Sequence, residues 1–548
     1  MKKKMFSIMT VFALMMSFLS GCVPSIPSTD PEREIDFYVN LPPTNLDPQK
    51  QFYANNVKIQ GMFLEGLMTR DDKGNPICGI AKSYEVSEDG LVYTFHLRED
   101  ACWDDGTAVE ADDFVFAFQR LVDPENASDA SIMLTDYAKV VGAEDIFYDG
   151  ASVDSLGARA VDDRTLEVRL ENPCPYFTDL LTAPAMTPCN RRYYYSHEDR
   201  YFANGDNILS CGPFTIDYYE PRGKQIHLRK NEYYYDADKV ELAGVNLQLL
   251  ADQQQLIMSF QKGDAECIPI SGEQQEVSEG DPRLNEVSGA MVWYVKPNFN
   301  NKALANRNIR RALSMCVNRE MLRKNILRAG NSVMTRMIPE QICFEPDGTD
   351  FGGETDRYKE VCGYDPEKAR EYWEKGLEEI GESGAEFEFL TTSDSNVFMD
   401  ILKEEWEKAL PGFKLKYRVV QPNVYYEELF AGNFDLSLDG WGADYGDPAS
   451  YLNLFVTGVK WGCPGFSSQV YDKIIEDADN DPLVLDPVKR FQKLHEAEDY
   501  LMEESVIIPI YCQGNACLLS DAVTGISFLP LCPEVSFKNA NYKKQVTK

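Results

Sequence analysis

Histidine is scarce in this chain. The 548 residues contain four, His96, His197, His227 and His495, and no two lie four apart. A His-Glu-x-x-His zinc site is excluded, and four scattered imidazoles argue against a direct metal site. There is no Cys-x-x-Cys, no Gly-x-Ser-x-Gly elbow and no glycine loop able to cradle phosphate. The sequence therefore nominates no catalytic residues and calls for no metal or cofactor. Basic residues are also few, 54 Lys and Arg against 89 Asp and Glu, for a net charge of −35. Such a surface repels phosphate backbones, and no basic cluster offsets it, so nucleic acid is not an expected partner. Beyond residue 21 no apolar run is long enough to span a bilayer.

What is present begins at the N-terminus. Lys2, Lys3 and Lys4 precede an uncharged run from Met5 to Leu19, then Leu19-Ser20-Gly21-Cys22. A charged start, an apolar stretch and small residues before a cut mark an export signal over residues 1–21. The Cys after Ser-Gly resembles the lipobox of bacterial lipoproteins, which implies cleavage before Cys22 and lipid on its sulfur. Residues 22–34, rich in Pro and Ser, read as a tether. The expected location is outside the cytoplasm, anchored to the bacterial cell membrane through that lipid. Fourteen cysteines leave an odd thirteen once Cys22 is set aside. In a chain this long they read as small core residues, not as a disulfide framework.

Patterning alternates through the chain. Ile35–Val39, Val92–Leu97, Leu166–Leu170 and Phe413–Val419 show the two-residue period of strands. Asp112 or Asp113 is placed to cap a helix through Phe114, Val115, Phe118 and Leu121, stopped by Asp123-Pro124. Asp365-Pro366 opens another with Ala369, Tyr372, Trp373 and Leu377 on one side, and a third runs from Val397 to Leu410. Alternating strands and helices point to α/β layers in several structural units.

One segment stands apart, Gly440-Trp441-Gly442-Ala443-Asp444-Tyr445-Gly446-Asp447-Pro448, after the strand-like Phe434–Leu438. Loops at the carboxyl ends of α/β strands bind ligands. A carboxylate there can meet a buried ammonium, and an aromatic face adds apolar and cation–π contact. The alternative from the residues alone is a tight turn with Asp caps and a core Trp.

The segment resembles the Gly-Trp-x-Ala-Asp-Tyr-x-Asp/Glu-Pro signature of family 5 solute-binding proteins, the oligopeptide-binding lipoproteins of ABC importers. Further matches run in order along the mature chain: Asn45-Leu46-Asp47-Pro48, Phe63-Leu64-Glu65-Gly66-Leu67, Gly79–Tyr84, Tyr93–Arg98, Trp103-Asp104-Asp105-Gly106, Ala111–Val115, Cys211–Phe214, Leu228–Asp236, Asn308–Leu313 and Ile508–Tyr511. The resemblance implies an α/β, periplasmic-binding-protein-like fold of class II, large and three-domain, whose two lobes close on a hinge. Lobe I would be discontinuous (35–65, 183–293 and 511–548), with a smaller inserted domain at 66–182 and lobe II at 294–510. It implies a monomer that binds peptide and partners ABC permease subunits, not an enzyme. Carried over, Asp444 meets the ligand's α-ammonium, with Trp441, Ala443 and Tyr445 around it. Ile270, Ser271, Trp293 and Tyr294 would be hinge-side segments whose backbone extends the peptide as an added strand. Relatives also bind sugars, nickel chelates and haem, and a surface hydrolase is a more distant reading. Where some peptide binders carry arginines near the signature, this chain has Leu429 and Leu438, and Asp129-Ala130-Ser131-Ile132 lacks an aromatic found in relatives.

Overall fold

The computed structural model describes residues 34–39, 43, 45–50, 54–249, 252–271, 273–328, 330–392, 397–480 and 482–543. The export signal and Cys22 lie outside the described residues. Glu34, expected as the tether's last residue, begins strand β1 (Glu34–Val39).

From β1 the chain enters a small antiparallel sheet of β2 (Ala81–Val86), β3 (Val92–Leu97), β4 (Ala158–Asp162) and β5 (Thr165–Arg169), in the order β2-β3-β5-β4. Helix α1 (Ala111–Val122) packs on it, and Asp123-Pro124 ends the helix as the sequence predicts. Its start differs: the N-cap is Glu110. Asp113 lies one turn in and accepts the Glu110 backbone N–H at 3.1 Å and the Trp103 indole N–H at 3.0 Å. The side chain expected to cap from outside is thus part of the first turn, bonding backward.

The chain then returns to the first sheet. Strands β6 (Phe214–Tyr219), β7 (Gln225–Lys230) and β8 (Gly244–Leu249) complete it in the order β1-β8-β7-β6, with β1 parallel to β8. One continuous core joins Ile35, Phe63, Trp103, Phe114 and Leu228 with Val523, Val535 and Phe537 from the far end of the chain.

A larger sheet holds the other half. Its strands are β9 (Cys267–Ile270), β10 (Leu284–Pro297), β11 (Ala385–Thr392), β12 (Phe413–Val420), β13 (Leu436–Gly442) and β14 (Ile508–Leu519), ordered β9-β14-β10-β13-β11-β12, with the short Ser332–Val333 strand beside β14. Helix α2 (Pro366–Ile380) starts with Asp365 accepting from the Lys368 N–H at 2.9 Å and ends at Gly381. Its Ala369, Trp373 and Leu377 are buried, as their spacing predicts. Two cores flank this sheet, one with Val292, Tyr294 and Tyr451, the other with Val295, Trp373, Trp406 and Leu436.

Strands β10 and β14 are long and run antiparallel, but their register breaks between Val287 and Met291. Gly289 and Gly514 sit in that break. A Cβ on Gly289 would collide with the Gln513 carbonyl, and one on Gly514 with the Gly330 carbonyl. Only glycine lets the backbones come this close.

Candidate functional site

Strand β13 delivers the unusual loop. Trp441 is the strand's penultimate residue, half-buried, its indole N–H donating to the Ser450 carbonyl at 2.8 Å, with Trp461 5.8 Å away. Ala443 packs against the neighbouring core. Asp444 follows, half-buried, with its backbone N–H on the Ser450 hydroxyl at 3.0 Å. Its carboxylate accepts the Tyr137 hydroxyl at 2.6 Å. Burial pushes the Asp444 carboxyl up, and the Tyr137 bond opposes that. Among the described residues no cation reaches Asp444; its side-chain partner is a neutral phenol.

Tyr445 crosses to the first half of the molecule. It is 2 % exposed, stacked on Tyr176 at 4.1 Å and edge-on to Tyr137 at 5.3 Å. Gly446 next donates its N–H to the Asp179 carboxylate at 2.7 Å. Asp179 in turn takes both guanidinium ends of Arg70 at 2.8 and 2.9 Å. A Cβ at Gly446 would stand 3.0 Å from that carboxylate and 3.3 Å from the Ile342 carbonyl. The loop is therefore docked, by stacking and by a charge-assisted bond, onto elements more than 250 residues away.

Asp447, which the sequence presents as a turn former, accepts the Ala449 N–H at 2.9 Å as a turn residue would. It is also the partner of Arg490, which grips it with two bonds of 2.7 and 2.9 Å, both side chains buried. Asp479 lies 3.7 Å from the same guanidinium.

The residues expected on the hinge side lie elsewhere. Ile270 and Ser271 line a cavity of about 580 Å³ with Tyr38, Gln253, Tyr511 and Gln513, a size suited to a small ligand. Its charged groups are Lys58 and Glu534, paired at 2.8 Å. Trp293 connects the two regions: its indole N–H donates to Gln513 at 2.9 Å, its ring lies parallel to Tyr511 at 6.2 Å, and its backbone pairs with Gly440. Tyr294 is 1 % exposed and belongs to the core. Both Trp293 and Tyr294 lie on a strand paired on either side, with a break in register between them on the β14 side. Strand β9 is the sheet's edge, where the Gln253 and Gln275 side chains donate to the Pro269 and Ile270 carbonyls at 2.8 and 3.3 Å.

The structure thus brings Asp444 and Tyr445 together with Tyr137 and Tyr176, and Ile270 and Ser271 with Tyr511 and Gln513. Asp444 is not part of the cavity wall. Sequence reasoning missed Tyr137, Tyr176, Asp179 and Arg490. It also passed over Gln513-Gly514-Asn515, a polar interruption in an otherwise apolar strand that was a usable signal. Leu429 is buried, and Leu438 is half-buried against a core.

Residues 75–463 match the family described as bacterial extracellular solute-binding proteins, family 5 Middle. The chain belongs to that family. Relatives of this solute-binding protein include the dipeptide-binding protein of Lactococcus lactis subsp. cremoris, 30% identical over 96% of each chain. The oligopeptide-binding protein OppA of Bacillus subtilis is 28% identical over 99% of this chain and 100% of that one. Among solved structures, Listeria monocytogenes OppA bound to peptide superposes with a TM-score of 0.72 at 27% identity, covering 93% of this chain and 99% of that one. The two-lobed α/β fold expected from the sequence is the fold of these neighbours. Among the described residues no helix is long and apolar enough to cross a membrane.

Proposed function

We propose that this solute-binding protein captures peptides between its lobes, with the break at Gly289 and Gly514 as the hinge. Held outside the cell membrane by lipid on Cys22, it passes them to the permease of an ABC importer. Its relatives' names as dipeptide- and oligopeptide-binding proteins support the peptide reading. The observation that carries it is Asp444: a half-buried carboxylate whose side-chain partner is a phenol, with no cation at hand. An α-ammonium entering there takes the place a protein cation would fill. Because burial raises the Asp444 carboxyl, affinity should climb as pH rises through its titration. It should fall again as the peptide's amino group deprotonates near pH ~8.

Titration calorimetry with a free and an N-acetylated peptide, on the wild type and Asp444→Asn, tests this. Removing one member of a desolvated pair strands the other, so either change alone should weaken binding roughly 100-fold. Both together should add little. Equal binding of free and acetylated peptide to the wild type would overturn the assignment.

A further inference from the structure

Two thiols stand in the wall of the 580 Å³ cavity, Cys267 on β9 and Cys517 on β14. The ladder pairs Cys267 with Leu519 and Pro269 with Cys517. The cysteines are therefore diagonal neighbours across adjacent antiparallel strands, and the two-residue period puts them on one face. They are 1 % and 7 % exposed, two buried thiols side by side in the ladder. The Asn285 amide offers Cys517 a donor at 3.9 Å. The neighbouring Cys267 thiol and the Asn285 amide favour the Cys517 thiolate over the opposing effect of burial, and the Cys517 thiol is held below the ordinary range. Burial does the opposite to Cys316, Cys463 and Cys512, each pushed up to about 12.

We propose that Cys267 and Cys517 form a redox-active dithiol in the cavity wall, which a low-molecular-weight disulfide converts to an internal disulfide. The Cys517 thiolate attacks one sulfur of the small disulfide. The S–S bond of the reagent breaks, and its other half leaves as a thiolate and takes up a proton. Cys267 then attacks the Cys517 sulfur, gives up its own proton and expels the second half. Two protein thiols are oxidised by two electrons, and one disulfide is reduced to two thiols.

The strand geometry gives the pair a consequence. Diagonal residues across a ladder have Cα atoms about 7–8 Å apart, whereas a disulfide holds them near 5.5–6 Å. Closing the bond draws β9 towards β14 and carries Ile270 and Ser271 with it. This second half rests on the proposed peptide binding between the lobes, with the peptide reaching from Asp444 to the cavity that Ile270 and Ser271 line. Oxidation should then weaken peptide binding about tenfold, and bound peptide should slow the oxidation.

The test uses the folded, fully reduced protein incubated with oxidised glutathione, alkylated, digested and mapped by mass spectrometry. A Cys267–Cys517 crosslink should form before Cys316 or Cys463 reacts. In Cys267→Ser, Cys517 should stop at the mixed disulfide with glutathione. Recovery of Cys267 and Cys517 alkylated after other thiols have reacted would overturn the dithiol, and so would Cys517 joined to a different cysteine. The wild-type map decides this even if the variant fails to fold. A crosslink that forms while calorimetric peptide affinity stays unchanged would leave the dithiol standing and overturn its link to the peptide cleft.

Discussion

Replacing Arg490 by Met should cost about 3–5 kcal/mol of folding free energy, because it removes one side of a buried ion pair and strands the other. The structure sets that size. Arg490 and Asp447 are buried and joined by two bonds of 2.7 and 2.9 Å, and Asp479 sits 3.7 Å from the guanidinium. Without Arg490 two carboxylates face each other with no cation between them, and burial already pushes the Asp479 carboxyl up. Asp447→Asn should cost less, about 1–3 kcal/mol, since Arg490 keeps Asp479 and the asparagine can still accept a bond. The double variant should lose clearly less than the sum, a coupling of roughly 1–3 kcal/mol for directly paired groups. Asp444→Asn should differ from both. Its carboxyl is already pushed towards the neutral form, and an amide oxygen can accept the Tyr137 hydroxyl. Its stability should stay within about 0.5 kcal/mol of wild type while binding falls. Urea unfolding at constant m-value reads these differences from the midpoint. An Arg490→Met loss under about 1 kcal/mol, the range of surface pairs, would refute the reasoning that this pair is buried and desolvated.

Asp113 predicts a pH dependence. Burial raises its carboxyl from 3.8 to about 7, so between those values the folded state binds more protons than the unfolded one. Stability should therefore fall as pH rises from about 4 to about 7. Asp113→Asn should flatten that slope in denaturation curves measured across the range, and an unchanged slope would discount the group. Cys22→Ala should release the protein from membranes without lowering its melting temperature; equal membrane retention on fractionation would remove the lipid anchor from the proposal.

Local order was readable because it depends on neighbours a few residues away. The alternation of Val92–Leu97 and the spacing of Ala369, Trp373 and Leu377 gave a strand and a helix with the expected buried faces. The start of α1 slipped because a backward bond from Asp113 and a cap from Glu110 compete over three residues. The loop at 440–448 stood out as a strand's end rich in glycines, aromatics and carboxylates, with a ligand site and a tight turn both open. Its partners were not. Tyr137 stands 307 residues from Asp444, Asp179 267 from Gly446 and Arg490 43 from Asp447. Nor did the apolar settings of Cys267 and Cys517 reveal that the ladder would place them diagonally on adjacent strands. The sequence by itself determined strands, helices, the family signature and the sign of the surface charge, because propensity, periodicity and charge act residue by residue. Only the tertiary structure decided which carboxylate is paired with an arginine, which meets a phenol and which strand forms the sheet's edge. Those depend on surfaces that meet after the chain has folded, and no local spacing encodes that meeting.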